Sequence, residues 1–192
     1  MIESVLERKC AKTSVKITVK MLISVGIVAL AVLLPQLVHL IAGPGGGMQW
    51  LPMYLPVLLG GCLLGWRWGL GAGIASPLVS FALTSLTGDP MPALTRLPYM
   101  VAELAVFAAV SGAFAKKIAE NGWMAFPAVL LAQVCGRLTF LALAAIFGSV
   151  SPLSAAAVWS QIQSGLLGMV LQAVMVPFIV MGIRIFLVRE KN

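Results

Sequence analysis

The chain has 192 residues, of which 60% are hydrophobic and only 10% charged, and its mean hydropathy is +1.03. A soluble domain of that length cannot hide so much apolar surface in one core, whereas a bilayer can accept it. The net charge of +7 does not point to nucleic acid, because the basic residues punctuate apolar segments instead of gathering in a polar domain.

Residues 1–16 make a basic N-terminal segment, and the first apolar run follows from Ile17 to Ile41. It is longer than the ~7–15 residues of a signal-peptide core, and no small-x-small cleavage pattern follows, so it reads as a retained helix. The stretch Ala42 to Trp50 holds Gly45, Gly46 and Gly47 in succession. It reads as a mobile loop, either a gate over an outward-facing pocket or a plain connector.

The second run, Leu51 to Leu64, falls short of the roughly 20 residues that span a bilayer. It is therefore re-entrant, or completed by polar backbone buried in protein. A third run covers Gly69 to Leu86, and the loop from Thr87 to Thr95 after it is stiffened by Pro90 and Pro92. The fourth runs from Leu97 to Ala115, the fifth from Trp123 to Phe147 and the sixth from Ser154 to Leu187, with a short tail over 188–192. The expected architecture is an all-α integral membrane protein. It is a single membrane domain over residues 1–192, built as a six-transmembrane-helix bundle.

Placing both termini in the cytoplasm puts Arg8, Lys9, Lys12, Lys16, Lys20, Arg67, Lys116, Lys117, Arg184, Arg189 and Lys191 inside, leaving Arg96 outside and Arg137 within a span. The positive-inside rule selects that orientation in a prokaryotic plasma membrane. Cys10, Cys62 and Cys135 are scattered and form no Cys-x-x-Cys motif, so they read as small packing residues.

Small residues recur at Gly61, Gly65, Gly69 and Gly73, followed by Ser76, Ser80 and Thr84. Such spacing lets helix backbones approach closely in lipid. It reads as intramolecular packing, with a docking surface for another membrane protein as the functional alternative. In the sixth run Gln161, Gly165, Gly168 and Gln172 share one helical face, which reads as a polar, cavity-lining stripe.

Polar and aromatic residues collect toward the outer ends of the segments. Gln36, Trp50, Tyr54, Tyr99, Glu103, Arg137, Trp159, Gln163 and Gln172 are the candidate substrate-binding residues. Glu103 and Arg137 are the only charged side chains well inside the runs, and they have opposite signs. Counted along the fourth and fifth helices at ~1.5 Å per residue, both lie ~20 Å from the inner surface, so they are expected to pair. The lone histidine, His39, excludes a histidine-based metal cluster within one chain, and no catalytic triad, metalloprotease motif or nucleotide-binding loop occurs. The chain is thus expected to be neither an enzyme nor a cofactor protein.

Three stretches resemble substrate-binding S components of energy-coupling-factor transporters. They are Leu34-Pro-Gln-Leu-Val-His39, Leu51-Pro-Met-Tyr-Leu-Pro-Val-Leu-Leu-Gly-Gly-Cys-Leu-Leu-Gly65, and Gly69-Leu-Gly-Ala-Gly-Ile-Ala-Ser-Pro-Leu78 with Ser80, Leu83 and Thr84 beyond it. The likeness continues through Glu103-Leu104 and Gly136-Arg137. It implies capture of a vitamin-like small molecule on the outer side. It also implies reliance on a transmembrane coupling subunit and two cytoplasmic ATPases. Two departures stand out: Tyr54 replaces a frequent histidine, and Gly26, Ala29 and Ala31 do not reproduce the family's Ala-x-x-x-Ala docking motif. The alternative is a stand-alone secondary transporter or small channel, for which internal repeats are the usual sign and none is evident.

Overall fold

The computed structural model describes residues 13–86, 88, 90–147 and 155–189. Arg8, Lys9, Cys10, Lys12 and Lys191 lie outside the described residues. Among the described residues the regular elements are all helical: α1 Thr13–Trp50, α2 Tyr54–Leu64, α3 Trp66–Ser85, α4 Leu97–Ala113, α5 Ala115–Glu120, a 3₁₀ turn Gly122–Met124, α6 Ala125–Phe147, α7 Ala155–Ser164 and α8 Leu166–Arg189. Among the described residues three stretches are long and apolar enough to cross a membrane: Val15–Gly43, Gly122–Phe147 and Leu166–Phe186. Tyr54–Leu64 and Leu97–Ala113 are apolar but shorter, in keeping with an under-length second run. Large apolar side chains cover the outside, with Leu40 83% and Ile41 86% exposed. That surface suits lipid and is far beyond what a water-facing domain carries.

Helix α4 is the hub, packing on α2, α3 and α6, while α1 lies against α2 and α3 and α8 lies against α6. Glycines permit the closest of these approaches. A Cβ on Gly73 would stand 2.6 Å from the Leu104 carbonyl oxygen, one on Gly69 2.8 Å from the Gly61 Cα, and one on Gly112 2.6 Å from the Trp66 backbone. The small-residue ladder is therefore an internal seam. It crosses from α2 to α3 at Gly65, whose φ of 84° favours glycine. The hydroxyls that continue it are also used internally. Ser76 donates to the Ala72 carbonyl (2.7 Å) and Thr84 to that of Ser80 (2.7 Å), while Ser80 donates to the Met91 carbonyl (2.8 Å). With the Met91 amide donating to Thr84 Oγ1 (2.7 Å), this part of the α3–α4 connection is tied to α3.

Two expectations need correction. The glycine-rich stretch after Ala42 is not an extended loop: α1 bends at Gly43 (φ 69°, ψ −174°) and the backbone is helical again to Trp50. A glycine at the kink supplies the one conformation a side-chain-bearing residue resists. The sixth run is also not one helix, because α7 and α8 meet at Gly165. Hydrogen bonds from the Gly165 amide to the Gln161 carbonyl and from the Met169 amide to the Gly165 carbonyl, each 3.0 Å, carry the helical ladder through the bend.

One end of the bundle collects basic side chains. Arg184 of α8 donates to the Ala119 (3.1 Å) and Glu120 (2.8 Å) carbonyls of α5, beside Lys116 and Lys117. Gly65, two residues before Arg67, approaches Ala115. Ile23 and Ile27 of α1 cluster with Leu64, Trp68 and Ala72, which brings Lys20 to the same end.

Candidate functional site

Near the middle of the bundle three elements bring Tyr54, Glu103 and Arg137 together. Tyr54 opens α2 immediately after the α1–α2 junction, Glu103 lies on the buried face of α4 one turn beyond Tyr99, and Arg137 lies on the buried face of α6. Tyr54 Oη donates to Glu103 Oε2 at 2.6 Å. Arg137 Nη1 approaches Glu103 Oε1 to 3.1 Å, with the two side chains 6% and 0% exposed. The expected pair is present, at matching depth on neighbouring helices.

The pair is not saturated. The Nη1–Oε1 approach lacks hydrogen-bond alignment, and both terminal guanidinium nitrogens and Oε1 have no hydrogen-bond partner among the described residues. Arg137 Nε points to Met169 Sδ at 3.2 Å, a weak acceptor. The guanidinium carbon also stands 5.0 Å from the Tyr54 ring centre, a cation–π arrangement. Phe107 meets that ring edge-on at 5.0 Å between centroids. Gly136 allows this packing, since a Cβ there would collide with the Phe107 ring.

A cavity of about 340 Å³ opens beside Arg137 between α6, α7 and α8. Its wall includes Gln133, Arg137, Leu141, Trp159, Ile162 and Met169. Gln133 Nε2 donates to the Met169 carbonyl at 3.0 Å, which steadies the α6–α8 contact below the guanidinium. The wall is apolar apart from the guanidinium, the glutamine and the indole. That is the usual make-up of a small-molecule pocket, in which few polar groups set orientation.

The other predicted residues divide. Trp159 is 55% exposed and lines the cavity with Arg137. Tyr99 is buried on α4 behind the cavity wall, its ring 6.0 Å from that of Phe140, in a cluster against which the wall residues Leu141 and Ile162 pack. Gln36 is half-buried in α1, its Nε2 buried and without a hydrogen-bond partner among the described residues. Gln163 is exposed on α7. Trp50 contributes its carbonyl: Gln172 Nε2 donates to it at 3.1 Å and to the Leu51 carbonyl at 2.8 Å.

That last contact corrects the reading of the Gly168–Gln172 face as cavity lining. Leu51 has a φ of 48°, unusual for a side-chain-bearing residue. A Cβ on Gly168 would lie 2.5 Å from the Gln49 carbonyl oxygen. The face therefore seats the α1–α2 junction, giving its carbonyls the donors that lipid cannot.

Of the wall residues named above, Gln133, Leu141, Ile162 and Met169 were not among the predicted ones. Gln133 stands one helical turn before Arg137 in an apolar run, so its polarity and i, i+4 spacing were available signals. Met169 offers no such signal, because methionine is a common filler of apolar helices.

Comparison of the chain with protein-family models, with curated proteins and with solved structures gives no match.

Proposed function

We propose that this chain is the substrate-capture subunit of an importer of the energy-coupling-factor type, holding a small organic nutrient in the cavity beside Arg137. The observation that carries the reading is a buried arginine that lines a cavity of about 340 Å³, with Nη1 ion-paired to Glu103 and Nη2 without a hydrogen-bond partner among the described residues. An arginine inside a bilayer costs at least ~2.5–3.5 kcal/mol. One that retains spare donors after pairing with a carboxylate is placed to meet a further acceptor, such as a carbonyl or hydroxyl oxygen of a ligand. Trp159 supplies an aromatic face on the same wall, suited to a heterocycle.

In this reading the chain crosses the cell membrane six times. The end carrying Lys20, Arg67, Lys116, Lys117 and Arg184 is cytoplasmic, as the positive-inside rule requires. A transmembrane coupling subunit and two cytoplasmic ATPases then move the captured nutrient. The likeness of Leu51–Gly65 and Gly69–Leu78 to the S components supports this division of labour.

The test is affinity purification of the tagged chain from its native membrane. Co-purification of a membrane subunit and two ATPases supports the proposal. Uptake driven by a proton or sodium gradient in vesicles containing this chain alone rejects it, in favour of a stand-alone transporter.

A further inference from the structure

A second cavity, of about 710 Å³, lies on the opposite side of the core from Arg137's helix, as a groove between α1 and α3. Its α1 wall runs from Met21 to Leu33, about 18 Å at 1.5 Å per residue. One leaflet of hydrocarbon is about 15 Å deep, half of a bilayer core. The groove therefore extends over the depth of one leaflet. Its middle is shallow and apolar, formed by Ala29, Gly71 and Ala75.

The two ends of the groove differ. At the basic end Arg67 and Trp68 line it. Arg67 is exposed and stands over the Trp66 ring, 5.3 Å from its centre, and Lys20 directly precedes Met21 on the facing helix. About 6 Å deeper, one turn of α1, Ser24 lines the groove. Its enclosed hydroxyl has no hydrogen-bond partner among the described residues. At the other end Leu33, Val79 and Leu83 make the lining wholly apolar.

We propose that this groove binds an anionic phospholipid of the basic leaflet. Its phosphate meets Arg67 and Lys20, an ester carbonyl entering the groove accepts from Ser24, and an acyl chain lies over Ala29, Gly71 and Ala75. Charge, polarity and length follow one another in the order in which a phospholipid presents them. A partner helix is the alternative occupant, which the cross-linking arm of the test below distinguishes. The site depends on the chain lying in a bilayer and not on what the chain carries.

The experiment is native mass spectrometry of the protein released from nanodiscs holding equal amounts of phosphatidylglycerol and phosphatidylcholine. Wild type is expected to retain phosphatidylglycerol at least about five-fold over phosphatidylcholine, as a basic residue near an anionic headgroup provides. Arg67→Gln should remove most of that preference, and Ala75→Phe should reduce retention of both lipids by filling the groove. Lys117→Gln, an exposed basic residue outside the groove, should leave the preference intact. Equal retention of the two lipids by wild type overturns the proposal without any variant. So does an equal loss in Lys117→Gln and Arg67→Gln, which would mean a diffuse basic surface. A cysteine at position 75 that cross-links in native membranes to another protein would show a partner helix in the groove and would also overturn it.

Discussion

The seam joining α2, α3 and α4 and the cluster joining α2, α4 and α6 share two helices yet hold them in opposite ways. In the seam, Gly61, Gly69, Gly73 and Gly112 bring backbone onto backbone, and Ser76 and Thr84 satisfy their hydroxyls on carbonyls of their own helix. No charge is involved. In the cluster a carboxyl and a guanidinium group are buried at 3.1 Å, and polar atoms remain without hydrogen-bond partners among the described residues. A region selected for packing alone resembles the first, because lipid gives no return for an unmet donor. The second keeps polar groups that packing alone does not require, which is the ground of the proposed ligand site.

Mutations in the two regions should separate these roles. The largest effect is expected in the cluster: Arg137→Met or Glu103→Gln alone should cost about 3–5 kcal/mol, since each strands the other group in the interior. The double variant should recover most of that in a thermal unfolding series in detergent. A double variant as unstable as the sum of the singles would mean that the two groups are not coupled.

In the seam, Gly73→Leu should cost about 3 kcal/mol, the upper end of overpacking, because the atom in its way is the Leu104 backbone carbonyl. No second substitution on α4 side chains should rescue it, in contrast to the ion pair. Normal expression and unfolding temperature for this variant would remove the seam from the account.

Tyr54→Phe should have an intermediate effect, about 1.5–3 kcal/mol, by removing the hydrogen bond to the Glu103 carboxylate while keeping the ring under Arg137. A loss of the Tyr54→Phe effect in the double-variant background would place the tyrosine in the same coupled unit.

The smallest effect is expected at Gly26, which sits inside α1 with nothing within 4 Å of where a Cβ would stand. Gly26→Ala should be neutral, or stabilising by about 0.5–1 kcal/mol at most. It is the control that distinguishes a glycine needed for close approach from one that is not.

How far these regions could be read from the sequence follows from the kind of signal each carries. Glu103 and Arg137 announce themselves: a charge in an apolar run is rare, and helical rise converts position into depth. The seam is legible through spacing, since small residues at every fourth position have few other uses. The kink at Gly43 and the helical backbone beyond it are not legible, because three successive glycines have weak helix propensity and only the surroundings decide their conformation. The seating of Leu51 by Gln172, 121 residues apart, depends on long-range topology that no local pattern encodes. Position near a helix end places Tyr99 and Gln163 toward the site but does not tell a ring packed behind the wall on Phe140 or an exposed amide from a residue of the wall itself.

The proposed role of Arg137, donating to a bound ligand, can be tested directly. The most direct measurement is mass spectrometry of small molecules that stay with the protein after gentle purification from cells grown in rich medium, comparing wild type with the Glu103→Gln/Arg137→Met double variant. The account predicts that wild type retains an organic molecule small enough for a cavity of about 340 Å³, and that the folded double variant loses it. Equal retention by a stable double variant would contradict the account and leave the pair as a purely structural link between α4 and α6.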